Sequence, residues 1–411
     1  MKTVTAVVIG AGERGAGTYA PFSLAYPEEV RIVGVAEPDD TKRRDFQALY
    51  GLPDEACFVG YKEFFESPIP ADCAYICTQD QMHTEPAVLA MRQGYHVLLE
   101  KPMAVTEADC RLLVKTAQET GRQLVVCHVL RYTPFYSALK DLLDSGRIGK
   151  LLTVQHMEGV AYWHFAHSFV RGNWSVTKDS APMILAKCCH DLDLLSWLVG
   201  GKAQTVSSFG KLSYFTAANA PQGAPMRCTD GCPHARQCLY YAPDLYLGEH
   251  TDWPTSAISA DHSFAARKEA LLHGPYGRCV FHCDNDVCDH QTVDIYFDNE
   301  VTVNMTATAF STEINRQTTF TGTKGEMIAD FHDNHLIIKE HGTGRVEDIR
   351  LNVGVDILGH GGGDWKLLRD FLDIVRDGQG EAKTLAENSL ASHLLAFAAE
   401  KSRLEGVKVT L

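Results

Sequence analysis

The sequence predicts a two-domain α/β protein: a doubly wound parallel sheet at the N-terminus, followed by an α/β domain with a large, mainly antiparallel open sheet. Three observations predict it. At 411 residues the chain exceeds the size at which a single core keeps growing. Its first third alternates short apolar runs with amphipathic helical stretches, the mark of βαβ units. Farther along, apolar and polar residues alternate singly, the period of a half-buried strand.

The apolar runs are Val4–Ile9, Val30–Ala36, Cys73–Thr78, His96–Leu99 and Gln123–His128, with helices over Glu85–Arg92 and Glu107–Thr120. Near-continuous apolar strands suit a parallel sheet covered on both faces. Pro21 falls where the first crossover helix should run, so a kink or a short helix is expected there. We place the boundary after residue 129, giving domains 1–129 and 130–411. In the second domain, Leu151–Gln155 and 292–310 alternate, and Asp298-Asn299-Glu300 joins two strands through a tight turn. Gly322 to Glu326 marks another turn. One helical segment, Met183–Leu198, is expected against this sheet, and helices at Lys366–Asp377 and Ala386–Leu404 close the chain.

Composition narrows the functional classes. The formal net charge is −14, and the one basic run, Lys42-Arg43-Arg44, lies among Asp39, Asp40 and Asp45. Nucleic acids and anionic membranes, which are held by clustered cations, are therefore not expected partners. No stretch approaches the ~20 apolar residues of a spanning helix. The N-terminus runs straight into a strand and reads as the start of a mature fold. Thirteen cysteines, several single in core segments, suit reduced thiols in a cytoplasmic protein.

Gly10-Ala11-Gly12-Glu13-Arg14-Gly15 follows the first strand directly. A turn of this kind needs Gly10 for its tightness and Gly12 for close approach of a pyrophosphate, while Gly15 lets helix and strand pack. The second strand ends at Glu37, 22 residues past Gly15, where a carboxylate accepts from the adenosine ribose hydroxyls. Strand, glycines and acid together indicate a dinucleotide site. Glu37 favours NAD over NADP, with Lys42, Arg43 and Arg44 as the opposing feature. The competing reading is a glycine-rich turn beside an incidental surface glutamate.

Glu100-Lys101-Pro102 then follows the strand His96–Leu99. With it come Thr78 and His83, Gly94 ahead of Val97, and His190-Asp191-Leu192-Asp193 before Trp197. Gly322 through Glu326 and His360-Gly361-Gly362-Gly363-Asp364 complete the set. In this order the chain resembles the Gfo/Idh/MocA oxidoreductases, the group that includes glucose-fructose oxidoreductase and inositol dehydrogenase. The resemblance implies a Rossmann domain joined to a C-terminal α/β domain, with a site that takes NAD and a sugar, glycoside or cyclitol. It implies cofactor contacts from Gly10, Gly12, Glu13, Arg14, Gly15, Glu37, Thr78, His83, Glu100 and Lys101. Lys101 and His190 become the catalytic pair for hydride transfer at a secondary alcohol or ketone. The family often carries Asp four residues before this His; here the position is Ala186, followed by Lys187. Lys187 faces either the substrate or solvent, and His190 is alternatively a satisfied core histidine. The family also includes glycosidases and lyases that oxidise a sugar transiently on tightly held NAD. A nucleotide-binding sensor without catalysis is the non-enzymatic alternative.

Between strand and helix, the stretch from His156 to Trp174 is dense in aromatics and imidazoles, suiting a carbohydrate site. Its substrate candidates are His164, His167, Arg171 and Trp174, with Arg131, Tyr132, Lys187 and Asp191 beyond it. The bland alternative is a packed loop core. Cys228, Cys232 and Cys238 form a run for a structural zinc, with His234, Cys279, His282 or Cys283 as fourth ligand, or else remain free thiols. An uncovered sheet face makes a homodimer or homotetramer the expected assembly.

Overall fold

The computed structural model describes residues 2–352, 360–378, 380 and 383–411. The chain forms two compact units that are interleaved along the sequence. One comprises Met1–Lys150, Cys189–Lys202 and Arg350–Phe397; the other comprises Leu151–Cys188, Ala203–Ile349 and Ala398–Leu411.

The first unit holds a six-stranded parallel sheet: β1 (Val4–Ile9), β2 (Val30–Ala36), β3 (Cys57–Phe58), β4 (Cys73–Ile76), β5 (His96–Leu99) and β6 (Leu124–Val126). The spatial order is β3-β2-β1-β4-β5-β6. Because strand side chains alternate, β1 feeds two cores. Val4, Ala6 and Val8 face one cluster that includes Leu367, Leu368 and Phe371 of the helix Gly363–Asp377. Val7 and Ile9 face another, with Met91, Leu113 and Ala117. The expected short crossover is present: Glu13–Tyr19 forms a wide π-type turn, and Phe22–Ala25 is a single α-turn after Pro21. The helix Glu107–Thr120 runs from a Thr106 cap, whose hydroxyl accepts from the Asp109 N–H, to left-handed Gly121.

The second unit is built on nine strands: β7 (Leu151–Gly159), β8 (Ala203–Lys211), β9 (His290–Phe297), β10 (Thr302–Thr308), β11 (Asn315–Gly322), β12 (Gly325–Asp330), β13 (His335–Glu340), β14 (Val346–Arg350) and β15 (Val409–Thr410). Their order is β14-β13-β12-β11-β7-β10-β9-β8-β15. The β7–β10 pair is parallel, whereas β8–β9, β9–β10, β7–β11, β11–β12, β12–β13 and β8–β15 are antiparallel. The two expected turns join β9 to β10 and β11 to β12.

One expectation is corrected. Met183–Leu198 is not a single helix: it divides into Met183–Ala186 and Cys189–Val199. The second piece belongs to the first unit, not to the antiparallel sheet. Arg131 explains why. Its guanidinium grips Asp193 with two contacts of 2.6 Å, and both side chains are buried.

Candidate active site

In the first unit the glycine turn has the clearances its sequence requires. A Cβ on Gly10, at φ +94°, would stand 2.6 Å from the Cys77 carbonyl oxygen, and one on Gly15 would stand 2.1 Å from the Gly10 carbonyl oxygen. Gly12 is different: nothing lies within 4 Å of its Cβ position, so this face is open to a pyrophosphate. Glu37 is buried, with one carboxylate oxygen 2.8 Å from the Ala11 N–H and the other 3.0 Å from the Asp39 N–H. It therefore fastens the turn from the end of β2. Two residues of the basic run have local partners. Arg43 donates to the Glu37 carbonyl oxygen and pairs with Asp40, which also takes Arg44. These residues fit the dinucleotide that the sequence implies.

Arg14 points inward. Its Nε lies 2.6 Å from Glu100, and its Nη2 meets Asp364 at 2.5 Å and the Tyr19 hydroxyl at 2.6 Å. Burial pushes the Glu100 carboxyl up, but the Arg14 charge and the bonds from Arg14 and Tyr19 hold it below its ordinary value. Glu13 lies in the first turn after the glycines. The turn that carries Lys101 is held at three successive residues. The Lys101 N–H donates to Glu100 Oε2 at 3.0 Å, the Pro102 carbonyl oxygen meets His83 Nδ1 at 2.7 Å, and the Met103 N–H donates to His393 Nε2 at 2.9 Å. The other His83 nitrogen faces the Thr78 carbonyl oxygen at 3.0 Å. Thr78 and His83 thus brace the turn from β4.

His190 and Asp191 are buried at the start of the helix Cys189–Val199. The His190 ring packs edge-on to His128 at 5.6 Å, and His128 packs against His393 at 5.5 Å. Burial, Arg131 and Lys101 all hold His128 well below the ordinary imidazole value. Lys101 is close enough for its charge to act also on the buried Cys189 thiol, next to His190. His190 thus meets His128 by ring contact, and the Lys101 charge acts on the same His128. Two of the substrate candidates have other engagements in this unit: Arg131 is bound to Asp193, and the Tyr132 hydroxyl donates to Asp370 at 2.8 Å.

In the second unit, Lys187 does not reach into solvent. Its amine is 3.3 Å from fully buried Glu158, whose other oxygen takes Arg316 at 3.0 Å. Alongside, His156 Nδ1 meets the Thr318 hydroxyl at 2.8 Å. The aromatic stretch is a packed cluster. His167 stacks on Tyr276 at 4.7 Å and meets the Tyr246 hydroxyl at 3.0 Å, and burial lowers its pKa to about 4. His164 packs edge-on to Trp253 at 4.8 Å, and Trp174 lies near Phe169. Arg171 is buried and donates to the carbonyl oxygens of Arg278 and Tyr240. It therefore ties down the segment between β8 and β9, a structural use that no motif in the sequence marks.

The metal expectation is corrected. Cys228, Cys232, Cys238 and Cys279 line one small cavity, together with His234. Yet among the described residues no group of three or more His, Cys, Asp or Glu side chains is placed to hold a metal ion. The Cys228 thiol instead contacts Arg171 and the Arg278 carbonyl oxygen. No helix among the described residues is long and apolar enough to cross a membrane.

Sequence reasoning missed His128 and His393, and it did not single out Glu158 within the stretch from His156 to Trp174. His393 lies 290 residues beyond the amide it accepts from, and no motif spacing marks such a partner.

Comparison with known proteins accords with this geometry. Residues 4–128 match the model of the oxidoreductase family with an NAD-binding Rossmann fold, and residues 140–411 match its C-terminal α/β domain. The chain is 31% identical over 195 residues to 1-carboxy-3-chloro-3,4-dihydroxycyclohexa-1,5-diene dehydrogenase of Comamonas testosteroni, covering 47% of each. It is 30% identical over 217 residues to inositol 2-dehydrogenase of Streptomyces avermitilis, covering 53% of this chain and 58% of that one. The matches thus span about half the length of these relatives. Among solved structures, the fold is that of the aldose-aldose oxidoreductase of Caulobacter crescentus, with a TM-score of 0.68, 16% identity and full coverage of both chains. The chain belongs to the Gfo/Idh/MocA oxidoreductase family.

Proposed function

We propose that the protein is an NAD-dependent oxidoreductase acting on a secondary alcohol, or the corresponding ketone, of a sugar, glycoside or cyclitol. The observation that carries this reading is the Lys101 turn. It sits at the carboxyl end of β5, where doubly wound sheets bind ligands, and Arg14 joins it to the glycine turn. NAD, when bound, supplies the hydride acceptor. Lys101 holds and moves the hydroxyl proton, and His190 is the second group for that proton. The inositol dehydrogenase relative favours a polyol substrate. The polar cluster of Glu158, Lys187, Arg316 and His156 supports hydroxyl recognition in the second unit. We place the protein in the cytoplasm, in keeping with cysteines that are not joined in disulfides.

The experiment is a panel of sugars, glycosides and cyclitols offered with NAD while NADH absorbance is followed. Net NADH formation supports the reading. Glycoside cleavage without net NADH, on protein that retains NAD through dialysis, would assign the redox-neutral chemistry instead. We further propose self-association through the outer sheet face. There exposed Met157 and Phe209 lie in one cross-strand row with Thr306 and Thr292. Light scattering should give a dimer or tetramer, and Phe209→Asp should lower that mass; a monomeric wild type would end this proposal.

A further inference from the structure

We propose that His393 is a positioning residue for Lys101, acting through the Met103 amide. This rests on the reading of Lys101 as the proton-handling group. His393 lies on the last long helix, Ala386–Glu405, and is fully buried. Its Nδ1 stands 2.8 Å from the Ser389 carbonyl oxygen, which only accepts, so Nδ1 carries the ring proton. Nε2 is then a bare acceptor, and the Met103 N–H donates to it at 2.9 Å. Burial, followed by His128, lowers the His393 pKa to about 3, so the ring keeps this acceptor at neutral pH.

The geometry explains why a lysine needs such a partner. A lysine side chain has a long flexible stem, so the protein aims its amine mainly by fixing the backbone beneath it. Where β5 ends, the ladder no longer does this. Glu100 holds the Lys101 N–H and His83 meets the Pro102 carbonyl oxygen, leaving the Met103 N–H as the third anchor. His393 supplies that anchor from the far end of the sequence. Misplacing a reacting group by about 1 Å can cost ~10²-fold in rate.

Two substitutions separate the anchor from mere filling of space. Asn at 393 retains a donor toward Ser389 but is too short to reach Met103. Gln at 393 extends an acceptor toward Met103. His393→Asn should lower kcat about 10- to 100-fold with NAD affinity unchanged, and His393→Gln should restore most of it. The second readout needs no substrate: the NMR signal of ¹³C-dimethylated Lys101, assigned by its absence in Lys101→Arg. It should move in His393→Asn and stay near the wild-type position in His393→Gln. An unmoved signal with wild-type kcat in His393→Asn overturns the proposal. Equal loss of kcat and NAD affinity in both variants also overturns it, as a general structural effect. If instead Lys101→Met retains full turnover while the signal follows the pattern above, the anchor stands and the chemical reading of Lys101 fails.

Discussion

On the proposed NAD-dependent reading, Glu37 concentrates the choice of nucleotide in one carboxylate. Its negative charge would oppose a 2′-phosphate, and its two backbone bonds hold it in place beside the glycine turn. NAD should therefore bind more tightly than NADP. Glu37→Ala should weaken NAD binding about tenfold or more, the loss expected of a charged hydrogen bond, and narrow the gap between the two nucleotides. Calorimetric titration checks both, and tighter binding of NADP by the wild type would refute the assignment. Lys101→Met should lower kcat by ~10²–10⁴, the range for general acid–base groups, with little change in NAD affinity. His190→Asn should cost less, because Ala186 stands where the family often has an aspartate. The places of Glu37 beside the glycine turn and of Lys101 just past β5 were legible in the sequence because local motifs carry them. The inward turn of Arg14 was not, because one of its partners, Asp364, lies 350 residues away.

Among the elements, the crossover turn Val129–Tyr132 and the helix Cys189–Val199 depend on one buried ion pair. Arg131 and Asp193 are both shielded; burial raises the Asp193 carboxyl, and Arg131 opposes that shift. Removing one partner of such a pair typically costs ~3–5 kcal/mol, because the other charge is left unpaired. Arg131→Met should therefore lower unfolding stability by about that amount in a urea titration. A change in substrate KM with unchanged stability would return Arg131 to the substrate site that the sequence suggested. The strands of both sheets were legible because a buried strand shows either a continuous apolar run or a period of two. The break at Lys187 was not. Lys187 and Cys188 read as a continuous helix, and only the packing of Cys189–Val199 on the first unit, together with the Lys187–Glu158 pair, divides it.

For the whole molecule, buried imidazoles set the response to acid. His393 and His167 are lowered to about 3 and about 4, both chiefly by burial. Their unfolded values lie near ~6.5. Above that pH both states are neutral and stability does not depend on these groups. Below it the unfolded chain takes up protons that the folded chain refuses, so stability falls as pH falls from ~6.5 toward 4. Each histidine contributes a slope of ~1.4 kcal/mol per pH unit in that window. Thermal melts across the range should show the decline, and His393→Gln should make it shallower; a flat profile would contradict the burial of both rings. The fingerprint and the Glu100-Lys101-Pro102 sequence made the family legible. The interleaving of the two units was not legible, because the helix Gly363–Asp377 returns to the N-terminal sheet on apolar contacts that have no sequence signature. The most direct test of the central claim is net hydride transfer, measured as NADH formed per alcohol oxidised across the polyol panel. The account predicts stoichiometric NADH with at least one sugar or cyclitol, formed ~10²–10⁴-fold more slowly in Lys101→Met. Products formed without NADH, or NADH formed undiminished by Lys101→Met, would contradict it.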